Sequence, residues 1–356
     1  MADNGETLTF KKWTREQLVP DDFPWDVFWD HSYFEAWKIH GDGEPILFQF
    51  RKKNSIWIHA FLERPIQRTD RIDIKTPYGY GGPLSNSTDR NFLIEAEKAF
   101  ECYANKKGIV AEFIRFHPLL ENWNFLFDRE MLIEKNRQTV FIDLEKAEEV
   151  ILSDMTSAFR RGLKKAESSG LVFRELSSGG NLDDFQGLYY LTMQKANADD
   201  YYFFSDKHFS ALAFASLGTK LFGVYSGENL VSAAMVFCSD TPEPKRNFVH
   251  YHLGASDPRF LETRPNNFLF ANIIFWAKRQ GNFCKIHLGG GTSPEPDNSL
   301  FRFKASIGKS RAVFMTGKRI WDHDYYQKLC RPILDKNPEL REQENSRFPL
   351  YRFPQK

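Results

Sequence analysis

Cysteine is scarce in this chain. Its four cysteines, Cys102, Cys238, Cys284 and Cys330, lie far apart, with no two at metal-ligand spacing. That pattern excludes a disulfide framework or a zinc finger, and it predicts reduced thiols in the core of a cytoplasmic protein. An excess of charge of one sign is equally absent. Lys and Arg number 48 against 47 Asp and Glu, a formal net charge of +1. This rules out a pervasive basic surface and leaves room only for a local patch. Long apolar runs are missing too. The longest, Phe268–Ala277, is broken by Asn272 and falls short of the ~20 residues of a membrane span. The opening residues, Met1-Ala2-Asp3-Asn4-Gly5-Glu6, have neither the basic nor the apolar stretch of a secretory signal. There is no Walker loop, Gly-x-Ser-x-Gly elbow, His-Glu-x-x-His motif or dinucleotide fingerprint. The acid pairs Asp199-Asp200 and Asp322-His323-Asp324 lack the pattern of a metal loop, and no metal is expected.

Aromatic residues are abundant, at 15% of the chain with 34 Phe. They predict large cores, or a cleft lined with rings. Alternation and turn residues place a strand at Pro45–Phe50, a polar turn, and a second strand at Ser55–Leu62. An extended stretch over Ile72–Tyr80 ends in Gly81-Gly82-Pro83. A helix over Asp89–Lys106 then stops at Gly108, and a strand follows at Ile109–Phe116. The second half repeats this order: strands at Lys220–Tyr225, Leu230–Phe237 and Asn247–Leu253, a helix from Asn266 to Gln280 closed by Gly281, and a strand at Phe283–Leu288. Ile46 and Leu221 are 175 positions apart, as are Ser55 and Leu230, which points to duplication of elements rather than of side chains. Between the halves, Thr139–Leu144 reads as a strand leading into a helix from about Ala147. That helix carries Arg160, Arg161, Lys164 and Lys165 on one face, either a solvated surface or a docking strip for phosphates.

The unit of hairpin, strand, helix and strand resembles the core of the GNAT acyltransferase fold. Seven segments in order sharpen the resemblance. In the first half they are Ala36-Trp37-Lys38, Thr76 to Leu84 (TPYGYGGPL) and Phe113 to Pro118 (FIRFHP). In the second half they are Tyr251 to Ser256 (YHLGAS), Trp276-Ala277-Lys278, Leu288-Gly289-Gly290-Gly291 and Leu300 to Lys304 (LFRFK). Together they resemble the FemABX family of aminoacyl-tRNA-dependent transferases that elongate peptidoglycan side peptides, and related acyltransferases of polysaccharide clusters. The resemblance implies an α/β (α+β) fold of two tandem GNAT-like lobes with mixed, mostly antiparallel sheets. The expected division is a first lobe over 1–146, with 318–356 available to complete it, and a second over 147–317.

The resemblance also implies roles. Phe303 and Lys304 match the family's Phe-Lys pair, whose lysine sits at the acyl-transfer centre, and Lys38 matches a lysine that helps hold the acceptor. His117 stands where the family has a carboxylate, and a family arginine falls at Lys195 or Ala196, so its guanidinium is missing. Both departures point to a different acceptor. No sustained charged heptads occur between Leu176 and Thr219, so the long helical arm of some members is not expected.

Amide formation from an ester or thioester needs a neutral amine, a stabilised oxyanion and close placement of the two substrates. Lys304 is the candidate for the charge facing the oxyanion or the leaving hydroxyl. Alternation along the strand puts His250 and His252 on one face and Tyr251 on the other, and a neutral His252 is a candidate proton acceptor. Catalytic candidates are therefore Lys304, Phe303 and His252, and substrate-binding candidates are Lys38, His117, Tyr251, Arg160 and Lys164. The connections before both crossover helices lack the glycine-rich amide cradle that coenzyme A needs; the second, Ser256 to Pro265, holds two prolines and no glycine. The expected donor is aminoacyl-tRNA through its acceptor end, with no permanently bound cofactor, and acyl-coenzyme A is the alternative. The expected acceptor is a small-molecule, saccharide or lipid-linked amine. A non-catalytic double-GNAT binding module is the third reading.

Overall fold

A computed structural model describes residues 5–127, 130–176, 181–215, 217–242, 247–295, 297–343 and 347–352. The strands in chain order are β1 (Glu6–Phe10), β2 (Glu44–Lys52), β3 (Ser55–Pro65), β4 (Ile72–Lys75), β5 (Gly82–Ser85), β6 (Ile109–Arg115) and β7 (Leu132–Asp143). They continue with β8 (Val172–Leu176), β9 (Lys220–Ser226), β10 (Asn229–Cys238), β11 (Phe248–Ser256), β12 (Lys285–Gly289) and β13 (Arg311–Ile320). The helices are α1 (Arg15–Leu18), α2 (His31–Ile39), α3 (Arg90–Lys107), α4 (Glu148–Asp154) and α5 (Ser157–Glu167). They continue with α6 (Leu182–Lys195), α7 (Asp206–Phe214), α8 (Pro265–Gln280), α9 (Ser299–Ala305) and α10 (His323–Lys336). Two compact units result: Met1–Pro24 with Gly41–Asn136 and Phe314–Lys356, and Trp25–His40 with Arg137–Val313.

The first unit's sheet runs β1-β2-β3-β4-β6-β13, with β5 added against β3. Only the β4–β6 contact is parallel, because α3 crosses between them. Asp89 caps α3 by accepting from the Asn91 amide, and Gly108 ends it with a φ of 67° that a side chain would resist. Its apolar face (Phe92, Leu93, Ala96, Phe100) buries Phe48, Trp57 and Phe61 of the sheet, each large side chain contributing about 1.5–3 kcal/mol. The carboxyl-terminal segment returns to this unit. Arg352 Nε donates to Asp73 at 2.7 Å and Arg352 Nη2 to the Pro65 carbonyl at 2.7 Å, while Phe348 stacks on Tyr326. Phe353, the third ring of that segment, lies outside the described residues.

The second unit's sheet runs β7-β12-β11-β10-β9-β8. Its main core lies between this sheet and α8, with Phe222, Val236, Phe270, Ile274, Ile286 and Leu288 all buried. The helix expected from Ala147 is in fact two. The chain turns at Met155-Thr156, where Thr156 caps α5 by accepting from the Phe159 amide at 3.2 Å. Among the described residues, no helix is long and apolar enough to cross a membrane.

The two parallel junctions differ. In the first unit, β4 and β6 stay joined past the end of β4. Thr76 N donates to Phe113 O at 3.0 Å and Gly81 N to Arg115 O at 2.8 Å. In the second unit, β11 and β12 share three pairs only, from Phe248↔Lys285 to His250↔His287. Beyond these, β11 runs on to Ser256 beside β10, whereas β12 turns against β7, with Gly289 opposite Val140. The strands part there.

Candidate active site

The parting is shaped first by β11 itself. Leu253 pairs with Met235 and Tyr251 with Val236, so His252 is the extra residue of a β-bulge. The bulge lets Tyr251 and Gly254, three apart, share a face. Tyr251 lies over Gly254 so closely that a methyl group there would overlap its Oη. Its ring also packs on Phe270 of α8 at 4.5 Å. Burial raises the Tyr251 hydroxyl pKa and keeps it protonated.

β12 supplies the opposite wall. Gly289 leaves the strand with a φ of 77°, which favours glycine, and a Cβ there would stand 3.3 Å from Lys304 Nζ. A Cβ at Gly290 would come within 2.9 Å of the Gln138 carbonyl, and one at Gly291 would press on Asn298. The glycines are therefore required by close approach. Asn298 caps α9 by accepting from the Phe301 amide at 3.1 Å. Phe303 then wedges against Phe270 (5.5 Å) and Phe159 (6.0 Å), which fixes the rotation of the helix.

That rotation turns Lys304 inward. Its side chain is 6% exposed, and its Nζ donates to Gly290 O at 3.0 Å and lies 5.4 Å from the Tyr251 ring centroid. Burial first, and the nearby Arg137 guanidinium second, push the Lys304 pKa down to about 7. Near neutral pH this amine can therefore both hold and release a proton.

A family model described as an acetyltransferase (GNAT) domain matches residues 153–304, a span that runs from α4 to this lysine. These residues therefore carry a GNAT acyltransferase domain. The fold of the chain is FemX-like. A crystal structure of FemX is similar at a TM-score of 0.70 and 13% identity, covering 90% of this acyltransferase and 99% of that chain. L-PGS from Bacillus licheniformis is similar at a TM-score of 0.51 and 14% identity, covering 80% and 86% respectively. No curated protein sequence matches.

The remaining candidates of the acyltransferase are dispersed. His252 is on the far face of β11 from Lys304, packed on Phe237 at 4.3 Å and near Tyr33. Burial and the neighbouring His208 and His250 push its pKa down to about 3, so it is neutral there, but the structure does not bring it to the lysine. Lys38 is exposed near the end of α2, in the second unit. Arg160 closes the end of α4, donating from Nη1 to Met155 O at 2.6 Å and Leu152 O at 3.2 Å. Arg161, Lys164 and Lys165 remain exposed along α5. His117 belongs to the first unit and is fully buried. Its Nδ1 accepts from the Leu120 amide at 3.0 Å, the work of a loop anchor. Sequence inspection missed Arg137, whose only signal is a charge two residues before the apolar run that begins at Thr139 in β7.

The loop that enters α8 bonds largely within itself. Pro258 and Pro265 have no N–H, and the amides of Arg259, Phe260, Arg264, Asn267 and Phe268 donate to Asp257, Leu261 or Arg264 within the same loop. Arg259 also forks onto the Asp257 carboxylate, with Nη2 to Oδ2 at 2.6 Å.

Proposed function

We propose that this acyltransferase moves an aminoacyl group from charged tRNA to an amine of a cell-wall, saccharide or other small-molecule precursor. The observation that carries this reading is the buried Lys304 amine where β11 and β12 part, beside the Tyr251 ring. The donor choice is supported by the loop before α8, which holds two prolines without an N–H and turns the amides of Arg259, Phe260, Arg264, Asn267 and Phe268 to acceptors within itself.

In the proposed reaction, the acceptor arrives as an ammonium ion, since a primary alkylamine titrates near ~10. Lys304, near neutrality, takes its proton. The freed amine attacks the ester carbonyl, an N–C bond forms, and the tetrahedral oxyanion develops beside the now charged Lys304. Collapse breaks the C–O bond and expels the terminal ribose hydroxyl of the donor. That oxygen takes a proton from Lys304, and the proton lost from the attacking nitrogen leaves to solvent. The products are an amide and a free tRNA end. Tyr251 packs against the carbon skeleton of whatever enters, and the exposed Lys164 and Arg161 neutralise phosphates of the incoming RNA.

The test is a pair of titrations of the purified protein, with aminoacyl-tRNA and with acetyl-coenzyme A. Expected are binding of charged tRNA that weakens steeply with salt and transfer that disappears in Lys304→Ala. Turnover with the thioester and none with charged tRNA would overturn the donor assignment. Unchanged transfer in Lys304→Ala would overturn the centre.

A further inference from the structure

Nothing in the sequence resemblance points to Arg137, yet it reaches the centre from β7. Its Nη1 donates to Gly291 O at 2.6 Å, and its Cδ lies 3.0 Å from the point where a Cβ of Gly290 would stand. The turn Gly289-Gly290-Gly291 is thus held between Arg137 on one side and Asn298 on the other, and its middle carbonyl receives Lys304 Nζ at 3.0 Å. A turn of three glycines has no side chains to fix it and the largest backbone freedom of any tripeptide. Left unclamped, it would not hold one carbonyl within hydrogen-bond distance of a buried amine.

We propose that Arg137 is a positioning residue of the transfer centre: its guanidinium locks the glycine turn that seats the Lys304 amine. This rests on the assignment of Lys304 to the reacting carbonyl. The clamp acts through geometry, by pinning Gly291 O so that Gly290 O faces Nζ. It also acts through charge. Arg137 from β7 and Tyr251 from β11 are the titratable side chains that face Lys304 among the described residues, and the guanidinium disfavours a second positive charge beside it. Carbonyl, ring and guanidinium together hold the amine ready for proton exchange.

Three variants of the full chain test this, Arg137→Met, Arg137→Lys and Lys304→Ala, each read by two independent measurements. The first is the titration of the Lys304 amine without substrate, followed by Nζ-detected NMR and assigned by its loss in Lys304→Ala. The second is kcat and KM for transfer as a function of pH. Arg137→Met is expected to shift the Lys304 titration to higher pH. It should also lower kcat by roughly 10- to 100-fold with little change in the acceptor KM, the cost of a small misplacement at a reacting centre. Arg137→Lys retains the charge and loses the fork, so it should restore the titration and recover kcat only in part. A Lys304 titration and a kcat both unmoved in Arg137→Met would overturn the inference and leave Lys304 in its role. Transfer surviving in Lys304→Ala would instead overturn the assignment on which it rests. A kcat loss that tracks thermal instability equally in both Arg137 variants, with the titration unmoved, would reduce Arg137 to a structural contact and also overturn it.

Discussion

Gly254→Ala is the sharpest test of the wall that Tyr251 builds, and it needs no substrate. The added methyl would overlap Tyr251 Oη and Cζ, with Cε1 at 3.3 Å, so the ring must leave its place. It would leave two partners: Phe270, at 4.5 Å, and the Lys304 amine, 5.4 Å from its centroid. An aromatic pair contributes about 0.5–1.5 kcal/mol. A cation over a ring contributes about 0.5–2 kcal/mol, at the low end here because Lys304 is only partly charged near pH 7. The expected loss is about 1–3 kcal/mol, read by calorimetry as a fall in Tm of roughly 2–4 °C per kcal/mol for a unit of this size. Tyr251→Ala supplies the control. In the double variant Tyr251→Ala/Gly254→Ala the methyl enters the space the ring has vacated, so its penalty should vanish and the two effects should fail to add. A Gly254→Ala protein with unchanged Tm, or strict additivity in the double variant, would refute this placement of Tyr251 and with it the wall of the proposed site.

Lys304→Met should lower transfer by on the order of 10²–10³, as loss of an oxyanion-facing group does, while leaving Tm equal or higher because a buried amine is replaced by an apolar side chain. The folded pKa of Lys304, about 7, lies below the ordinary 10.5, so the unfolded chain holds more protons between those values. Wild-type stability should accordingly rise relative to Lys304→Met as pH climbs from about 7 to 10, and a flat difference in urea melts would refute the burial. Glu97 behaves in the opposite sense: burial pushes its pKa up to about 7, so the stability it contributes in its protonated form is lost as pH rises from 4.5 through 7. Glu97→Gln should therefore be the more stable protein at pH 8 and show no advantage at pH 4, checked by thermal melts at both. Lys164→Ala should weaken charged-tRNA binding and reduce the slope of log affinity against log salt by about 1, whereas an unchanged slope would remove α5 from the RNA surface.

Local chemistry made much of the fold legible. Asp89 and Gly108 bracket α3, Gly281 ends α8, and alternating apolar residues mark β2, β3, β9 and β10, because caps and strand patterns act over a few neighbouring residues. The helix α2 and the pair α6 and α7 were harder to see. They are held by contacts such as His208 Nδ1 to Ala36 O at 2.8 Å, between residues 172 positions apart. The site divides in the same way. Lys304 and Phe303 were marked by a resemblance in LFRFK and Tyr251 by YHLGAS, whereas His252, which alternation sets on the face opposite Tyr251, packs on Phe237 and Tyr33 away from the lysine.

The sequence by itself determined many of the strands and helices, where several of them stop, and that glycines crowd the end of β12. Only the tertiary structure decided what those glycines serve. The parting of β11 from β12, the bulge at His252 that lays Tyr251 over Gly254, and the reach of Arg137 to Gly291 each depend on pairing between distant strands. A side chain's direction and burial follow from that register, and register is set by the whole sheet rather than by the residues on either side.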